Sequence, residues 1–304
     1  MASLAWSHDQ LSRVIAVVNG KGGVGKTSLV ANLAGLYAAG ESRVLVVDLD
    51  PQGNLGNDLG YLGAGRGDEG EALVSAVSNG HAMVPLRNER PNLDVVPGGP
   101  QLEELAQALR EDVLPEGGVE HFAASLAQIA EDYDLILIDC PPGIDALQKA
   151  ALAAARWVII PTKSDDASRA GLRMVAQRFA HVRDNYNPDL ALLAVVLFGV
   201  NSSAKRVSAQ AREDLAADLG LPGIVCDTTI RHVEAAAYDA RKRGQLVHEL
   251  ERDVASAPKW HERFKTGNKP ETLAASAGSL ASDYQRLAEE IIDRLAEAEQ
   301  GITA

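Results

Sequence analysis

Disulfide bonds and thiolate metal sites have almost nothing to build on in this chain. Its two cysteines, Cys140 and Cys226, stand far apart, in neither a C-x-x-C spacing nor a histidine pairing, and such usage fits a reducing, cytoplasmic compartment. Aromatic residues are scarce at 4% whereas apolar residues reach 46%, so the core is expected to be aliphatic and rich in alanine. No run of about 18 apolar residues is present to span a bilayer, and no secretory leader is recognisable. Linkers rich in Pro, Ser or Gly are also missing, and the 304 residues read as one domain, 1–304, with 1–12 as an N-terminal extension. Positive charge is in deficit. The formal net charge of −13 works against a surface that coats nucleic acid along its whole extent.

What is present is concentrated in eight residues, Gly20-Lys21-Gly22-Gly23-Val24-Gly25-Lys26-Thr27. They fit G-x-x-x-x-G-K-[ST], in which backbone N–H groups turn inward onto phosphate oxygens. An apolar, β-branched stretch, 13–18, precedes them, and 28–39 follows with Leu29, Leu33 and Leu36 at helical spacing. Strand, glycine loop and helix in that order place a helix N-terminus on the phosphates. The spacing directs Lys26 to the β- and γ-phosphates and the Thr27 hydroxyl to Mg²⁺, with Gly20 to Ser28 as the nucleotide-binding run.

Two further segments end apolar runs in carboxylates. The run 44–47 leads into Asp48-Leu49-Asp50-Pro51-Gln52-Gly53-Asn54, where period-2 spacing points Asp48 and Asp50 to one face. The run 135–138 closes on Asp139, followed by Cys140-Pro141-Pro142-Gly143, a Walker B arrangement whose acid holds the metal shell. An aspartate at a strand end also serves as a turn former or helix cap. Three in register with a phosphate loop point to a nucleotide–Mg²⁺ site. Further short runs at 93–96, 157–160 and 192–200 complete an α/β pattern: a doubly wound, mainly parallel sheet with helices on both faces. Asn201, directly after the last run, is counted with the nucleotide-binding residues.

The stretch Lys21-Gly22-Gly23-Val24-Gly25-Lys26-Thr27 resembles the deviant Walker A loop of the ParA/MinD group of P-loop ATPases. Asp48-Leu49-Asp50-Pro51-Gln52-Gly53-Asn54 looks like switch I of its ParA branch, and Asp139-Cys140-Pro141-Pro142-Gly143 resembles switch II. The resemblance runs from about residue 13 to about 247 and implies a slow, Mg²⁺-dependent ATPase that dimerises on binding ATP. It implies that Lys21 crosses to the partner subunit's nucleotide as a charge clamp in trans, that Asp50 orients the attacking water, that Asp48 supports the magnesium shell and that Asp139 is the Walker B acid. With Lys26, these make Lys21, Asp50 and Asp139 the catalytic set, and Thr27, Asp48 and Asp139 the metal set. ParA relatives bind double-stranded DNA without sequence preference as the ATP dimer and answer to a ParB-type partner. On that model the DNA contacts are Lys205, Arg206, Arg231, Arg241, Lys242 and Arg243, in a cytoplasmic, nucleoid-associated protein. Thr229-Ile230-Arg231-His232 stands where the family has I-P-R-N, with isoleucine in place of proline. The triplet 241–243 also suits a solvated helix end, where cations favour the dipole.

Two stretches depart from short family members: the glycine-rich 60–70, expected as a mobile loop, and an insertion at about 251–280. Its basic and aromatic part, 258–269, suits either a docked loop or a contact with DNA or partner. Because the phosphate loop starts at residue 20, no N-terminal helix-turn-helix is expected. A MinD-like membrane cycle needs a terminal amphipathic helix with a basic face. The helix expected at 283–297 carries Leu287, Ile291 and Leu295 on one stripe, but Glu289, Glu290, Asp293 and Glu297 on its polar face, which anionic lipid repels. That stripe is expected to pack on the sheet. A ParA-like positioner of another cargo and a small-molecule ligase or kinase of the same fold are the other readings, the last disfavoured by Lys21.

Overall fold

The computed structural model describes residues 6–111, 118–200, 205–256 and 276–303, with backbone alone at 166–170, 205–208, 302 and 303. Its strands in chain order are β1 (Val14–Val17), β2 (Val44–Asp48), β3 (Leu86–Arg90), β4 (Leu93–Val96), β5 (Leu135–Asp139), β6 (Trp157–Thr162), β7 (Ala191–Val200) and β8 (Ile230–Arg231). They form one sheet in the order β3-β4-β2-β5-β1-β6-β7-β8. All neighbours are parallel except β3, which runs antiparallel to β4 at the edge. The doubly wound, mainly parallel α/β fold expected from the sequence is the fold observed.

Both faces of the sheet are buried, which is why its central strands are apolar without alternation. Val14, Ala16, Leu45, Val47, Ile136 and Ile138 point to one face, and Ile15, Val17, Val44, Val46, Leu135 and Leu137 to the other. On the first face lie α3 (Glu71–Asn79), α4 (Leu102–Arg110), α5 (Gly118–Ala130), α6 (Asp145–Ala154), α7 (Asp166–Asn185) and α8 (Lys205–Leu219). The second is covered by α1 (Lys26–Ala39), the single turn α2 (Leu55–Asp58), α9 (Glu234–Arg243), α10 (Val247–Ser256) and α11 (Ala277–Thr303).

Two strands lie outside the apolar runs of the sequence. β3 reads Leu-Arg-Asn-Glu-Arg, half-exposed, and is a strand because it can hairpin onto β4 through Pro91-Asn92. Asn92 has φ 62, which suits the residue after proline in a tight turn. β8 is only two residues long and adds to the far edge beside β7. The terminal helix is longer than the expected 283–297, spanning Ala277–Thr303. Leu287 and Ile291 on its stripe are fully buried, with Leu295 at 9% exposure, in the core with α1. Of the expected insertion at about 251–280, residues 257–275 lie outside the described residues.

Candidate functional site

β1 lies between β5 and β6, so the loop that leaves it opens over the carboxyl ends of the central strands, where open α/β sheets bind ligands. Gly25 caps α1 with φ 89, a left-handed conformation that glycine adopts without strain. It also leaves no room for a side chain, because a Cβ there would lie 2.4 Å from the Phe198 ring. Val24 is fully buried and anchors the loop. Asn19 ties down its start: its side-chain amide donates to the Pro161 carbonyl of β6 at 2.7 Å and accepts from the Lys21 N–H at 2.8 Å.

The two loop lysines are held differently. Lys26 is buried, 6% exposed, and its ammonium donates to the Lys21 carbonyl at 3.1 Å across the loop. Burial pulls its pKa down, while Asp139, Cys140 and Asp50 act to raise it. Lys21 points outward and pairs with Asp165 at 2.8 Å, with both side chains substantially exposed.

Beside the loop, Asp48 and Asp139 end adjacent strands in direct register, and both are fully buried. One Asp48 oxygen accepts the Asp50 N–H at 2.9 Å. The other Asp48 oxygen and both oxygens of Asp139 have no donor at hydrogen-bond distance among the described residues, although the Thr27 hydroxyl lies near enough to bear on Asp139. Burial first, and then the neighbouring Asp139, raise Asp48 well above the usual carboxylate range. Burial pushes Asp139 up to about 7 against the opposing influence of the Thr27 hydroxyl and the Lys26 ammonium. Asp50 is 7% exposed and accepts the Gln52 N–H at 2.9 Å. Buried, unpaired carboxylate oxygens are costly; a hard divalent cation would satisfy them. Among the described residues no group of three or more His, Cys, Asp or Glu forms a cage. Two carboxylates and a hydroxyl, with the remaining positions left for phosphate and water, are the donor set that Mg²⁺ takes. The residues present fit a Mg²⁺–triphosphate.

A cavity of about 570 Å³ extends from this point, within the size range of small-molecule sites. It runs from Gly22, Lys26, Ser28 and Asp50, past Lys163 and Phe198, to Arg231 and the facing sides of α9, α10 and α11. Arg231 lines it and is clamped by Asp283, which is 2% exposed, through two bonds of 2.6 and 2.8 Å. Arg241 lines it too, donating to Asp58 at 2.6 Å. Lys242 and Arg243 are exposed in the last turn of α9. Lys205 and Arg206 begin α8, with their side chains outside the described residues, as is Asn201 entirely.

The structure thus gathers Lys26, Thr27, Asp48, Asp50 and Asp139 into one cluster, with Asp48 and Asp139 buried beneath the cavity that the others line, and sets Lys21 at the outer side of the loop. Asn19, Asp58, Lys163 and Phe198 were not anticipated. Asn19, one residue before the glycine loop, carried a positional hint. The other three reach the cavity through tertiary contacts that leave no local pattern.

A family model described as an AAA domain matches residues 12–192. The chromosome partitioning protein ParA of Caulobacter vibrioides is 33% identical over 260 residues, covering 80% of this chain and 94% of that protein. The chromosome-partitioning ATPase Soj of Thermus thermophilus is 35% identical over 209 residues, covering 66% and 76%. Among solved structures, cobyrinic acid a,c-diamide synthase from Mycobacterium smegmatis with bound ADP and magnesium superposes with TM-score 0.62 at 27% identity, covering 86% of this chain and 99% of that one. A plasmid partition protein from Borrelia burgdorferi superposes with TM-score 0.57 at 22% identity, covering 79% and 98%, a likeness of fold.

Proposed function

The chain belongs to the AAA-domain family of partition-type ATPases that includes ParA and Soj, and from that premise we propose that it is an ATP-driven DNA-partition switch. The observation that carries this reading is the pair of buried strand-end carboxylates, Asp48 and Asp139, in direct register with Thr27 beside Asp139 and with three of their oxygens lacking a donor at hydrogen-bond distance among the described residues. ATP and Mg²⁺ are its cofactors. The glycine loop and the α1 N-terminus hold the phosphates, Lys26 neutralises the β- and γ-oxygens, and Thr27, Asp48 and Asp139 hold the ion. When bound, the metal neutralises charge that develops on the transferred phosphoryl group. Asp50 stands next in the same loop and aligns the attacking water. A lone carboxylate facing phosphates is a weak base, so turnover waits on a partner, of the ParB type.

Lys21 completes the partner subunit's site and makes ATP the condition for a homodimer. Its ion pair with Asp165 does not oppose this, because a substantially exposed pair contributes only about 0–1 kcal/mol. The dimer binds double-stranded DNA through the exposed end of α9 and the start of α8, in the cytoplasm. Among the described residues no helix is long and apolar enough to cross a membrane, and the stripe a MinD-like cycle would insert is buried in α11.

One observation favours a second reading, a positioner of non-DNA cargo: Arg231 and Arg241 are each committed to a carboxylate, in a chain of net charge −13. A salt-titrated DNA gel shift with ATP, ADP and no nucleotide separates the readings. Retention only with ATP, weakening steeply with salt, is the partition result. Absence of a shift at low salt in every nucleotide state rejects it in favour of the cargo reading.

A further inference from the structure

The basic end of α9 is fastened at two places to α2 and the turn that follows it, the first of them in the wall of the nucleotide cavity. The first is Asp58, the last residue of α2 and 7% exposed. It accepts the Ser28 hydroxyl at 3.1 Å on one side and Arg241 at 2.6 Å on the other. Ser28 directly follows Thr27 in the first turn of α1, so one buried carboxylate stands between the phosphate loop and the Arg241-Lys242-Arg243 triplet. The second is a backbone contact between Gly60 and Gly244, the residue that caps α9 with φ 61. A Cβ on Gly244 would lie 2.4 Å from the Gly60 Cα. Arg90 of β3 spans this joint, donating to the carbonyls of Leu59 at 2.9 Å and Gly244 at 3.0 Å. It also clamps Glu249 of α10 through bonds of 2.7 and 2.9 Å.

The segment leading to Asp58 is continuous with the catalytic loop. Gly53 N–H bonds to the Asp50 carbonyl, Gly56 N–H to Gly53, and Asp58 N–H to Asn54. These turns join Asp50 to α2 without a break, and α2 bears on Ser28 and α9 through Asp58.

We propose that Asp58 is a positioning residue through which occupancy of the nucleotide cavity tightens the basic end of α9. A triphosphate on the loop offers the Ser28 hydroxyl a more strongly charged acceptor. Asp58 is then left with Arg241 as its side-chain donor, and a buried carboxylate cannot forgo its last partner without a large desolvation cost. The existing pair is held more firmly, the α9 C-cap opens less often, and Lys242 and Arg243 are kept in one arrangement. Ordering a binding surface beforehand strengthens its contact with an anionic partner. This inference rests on the proposal that the cavity binds ATP.

The C-cap amides report the coupling without any DNA present. Gly244 N–H bonds to the Arg241 carbonyl and Gln245 N–H to Ala240. Hydrogen exchange at these two amides is measured with and without Mg²⁺–ATP, alongside calorimetric ATP affinity, in the wild type, Asp58→Asn, Arg241→Gln and the double variant. ATP is expected to slow exchange about 5- to 20-fold in the wild type, at the lower end of ordinary allosteric coupling, and less than about twofold in each single variant. The double variant should do no worse than either single. Arg241 is half-exposed, so its variant folds even if Asp58→Asn does not. Tight ATP binding with unchanged C-cap exchange in the wild type, or full slowing in Arg241→Gln, overturns the inference and leaves the ATPase reading standing. Absence of ATP binding to the wild type overturns both.

Discussion

Asp139 is the residue at which stability and chemistry pull in opposite directions. Its carboxyl is raised from 3.8 to about 7 chiefly by burial, so without a metal the folded protein holds that proton more tightly than the unfolded chain. The associated stabilisation is complete below about pH 4 and is lost as pH rises through about 7. Metal-free, nucleotide-free protein should therefore melt at progressively lower temperature between pH 5 and 8, by about 2–4 °C for each kcal/mol lost. Asp139→Asn removes the titrating group: its melting curve should vary less with pH and lie above the wild type at pH 8, while Mg²⁺-dependent hydrolysis disappears. Calorimetric scans across that range check it, and parallel profiles for the two proteins would contradict the assignment. Asp48 is raised by the same burial, so the slope left in the variant belongs largely to it.

At the scale of elements, the glycine loop is a backbone device more than a set of side chains. Gly25 holds φ 89 at the first turn of α1, a conformation that costs an L-residue roughly 1–2 kcal/mol. A methyl group there also meets the Phe198 ring. Gly25→Ala is expected to lose about 2–4 kcal/mol of stability in urea titrations and most of its ATP affinity. Phe198→Ala should cost less stability in the Gly25→Ala background than in the wild type, since the steric share is relieved there but not the share due to φ. If the two costs are equal, the ring contact is not what the methyl meets. The terminal helix makes the complementary point. Its acidic face and apolar stripe are legible in one dimension, and burial of Leu287 and Ile291 against α1 assigns that stripe to the fold.

For the whole molecule, the decisive question is assembly. Lys21 sits at the outer side of the loop, at the wrong end for the phosphates of its own nucleotide. Its ion pair with Asp165, which is about half exposed, is of the kind that contributes little to stability, and the proposed trans role is tested by removing the ammonium. Lys21→Ala should keep ATP affinity within about threefold by calorimetry yet lose the ATP-induced doubling of mass in light scattering, because a group acting only in trans adds nothing to a lone protomer. An ATP-dependent dimer that persists in Lys21→Ala would mean that the interface is held by other contacts. The net charge of −13 bears on the same scale, since only a local basic patch can meet DNA once salt confines fields to about 8 Å.

The phosphate loop, the strand-end aspartates Asp48 and Asp139 with Asp50 just beyond, and six of the eight strands among the described residues were readable from the amino-acid order alone. Each is written in contiguous residues: glycines permit a backbone conformation, and apolar runs mark strands buried on both faces. β3 was illegible because a charged segment becomes a strand only when a neighbour offers a hairpin partner. The pairing of Asp58 with Arg241, 183 residues away, and of Arg231 with Asp283, 52 away, was equally hidden. Ion pairs between distant positions carry no periodicity, and which cation meets which carboxylate depends on how helices are laid across the sheet. Local order therefore determined the nucleotide-binding class and its candidate residues; only the packing of α9, α10 and α11 over the cavity decided which basic residues line it and which face outward.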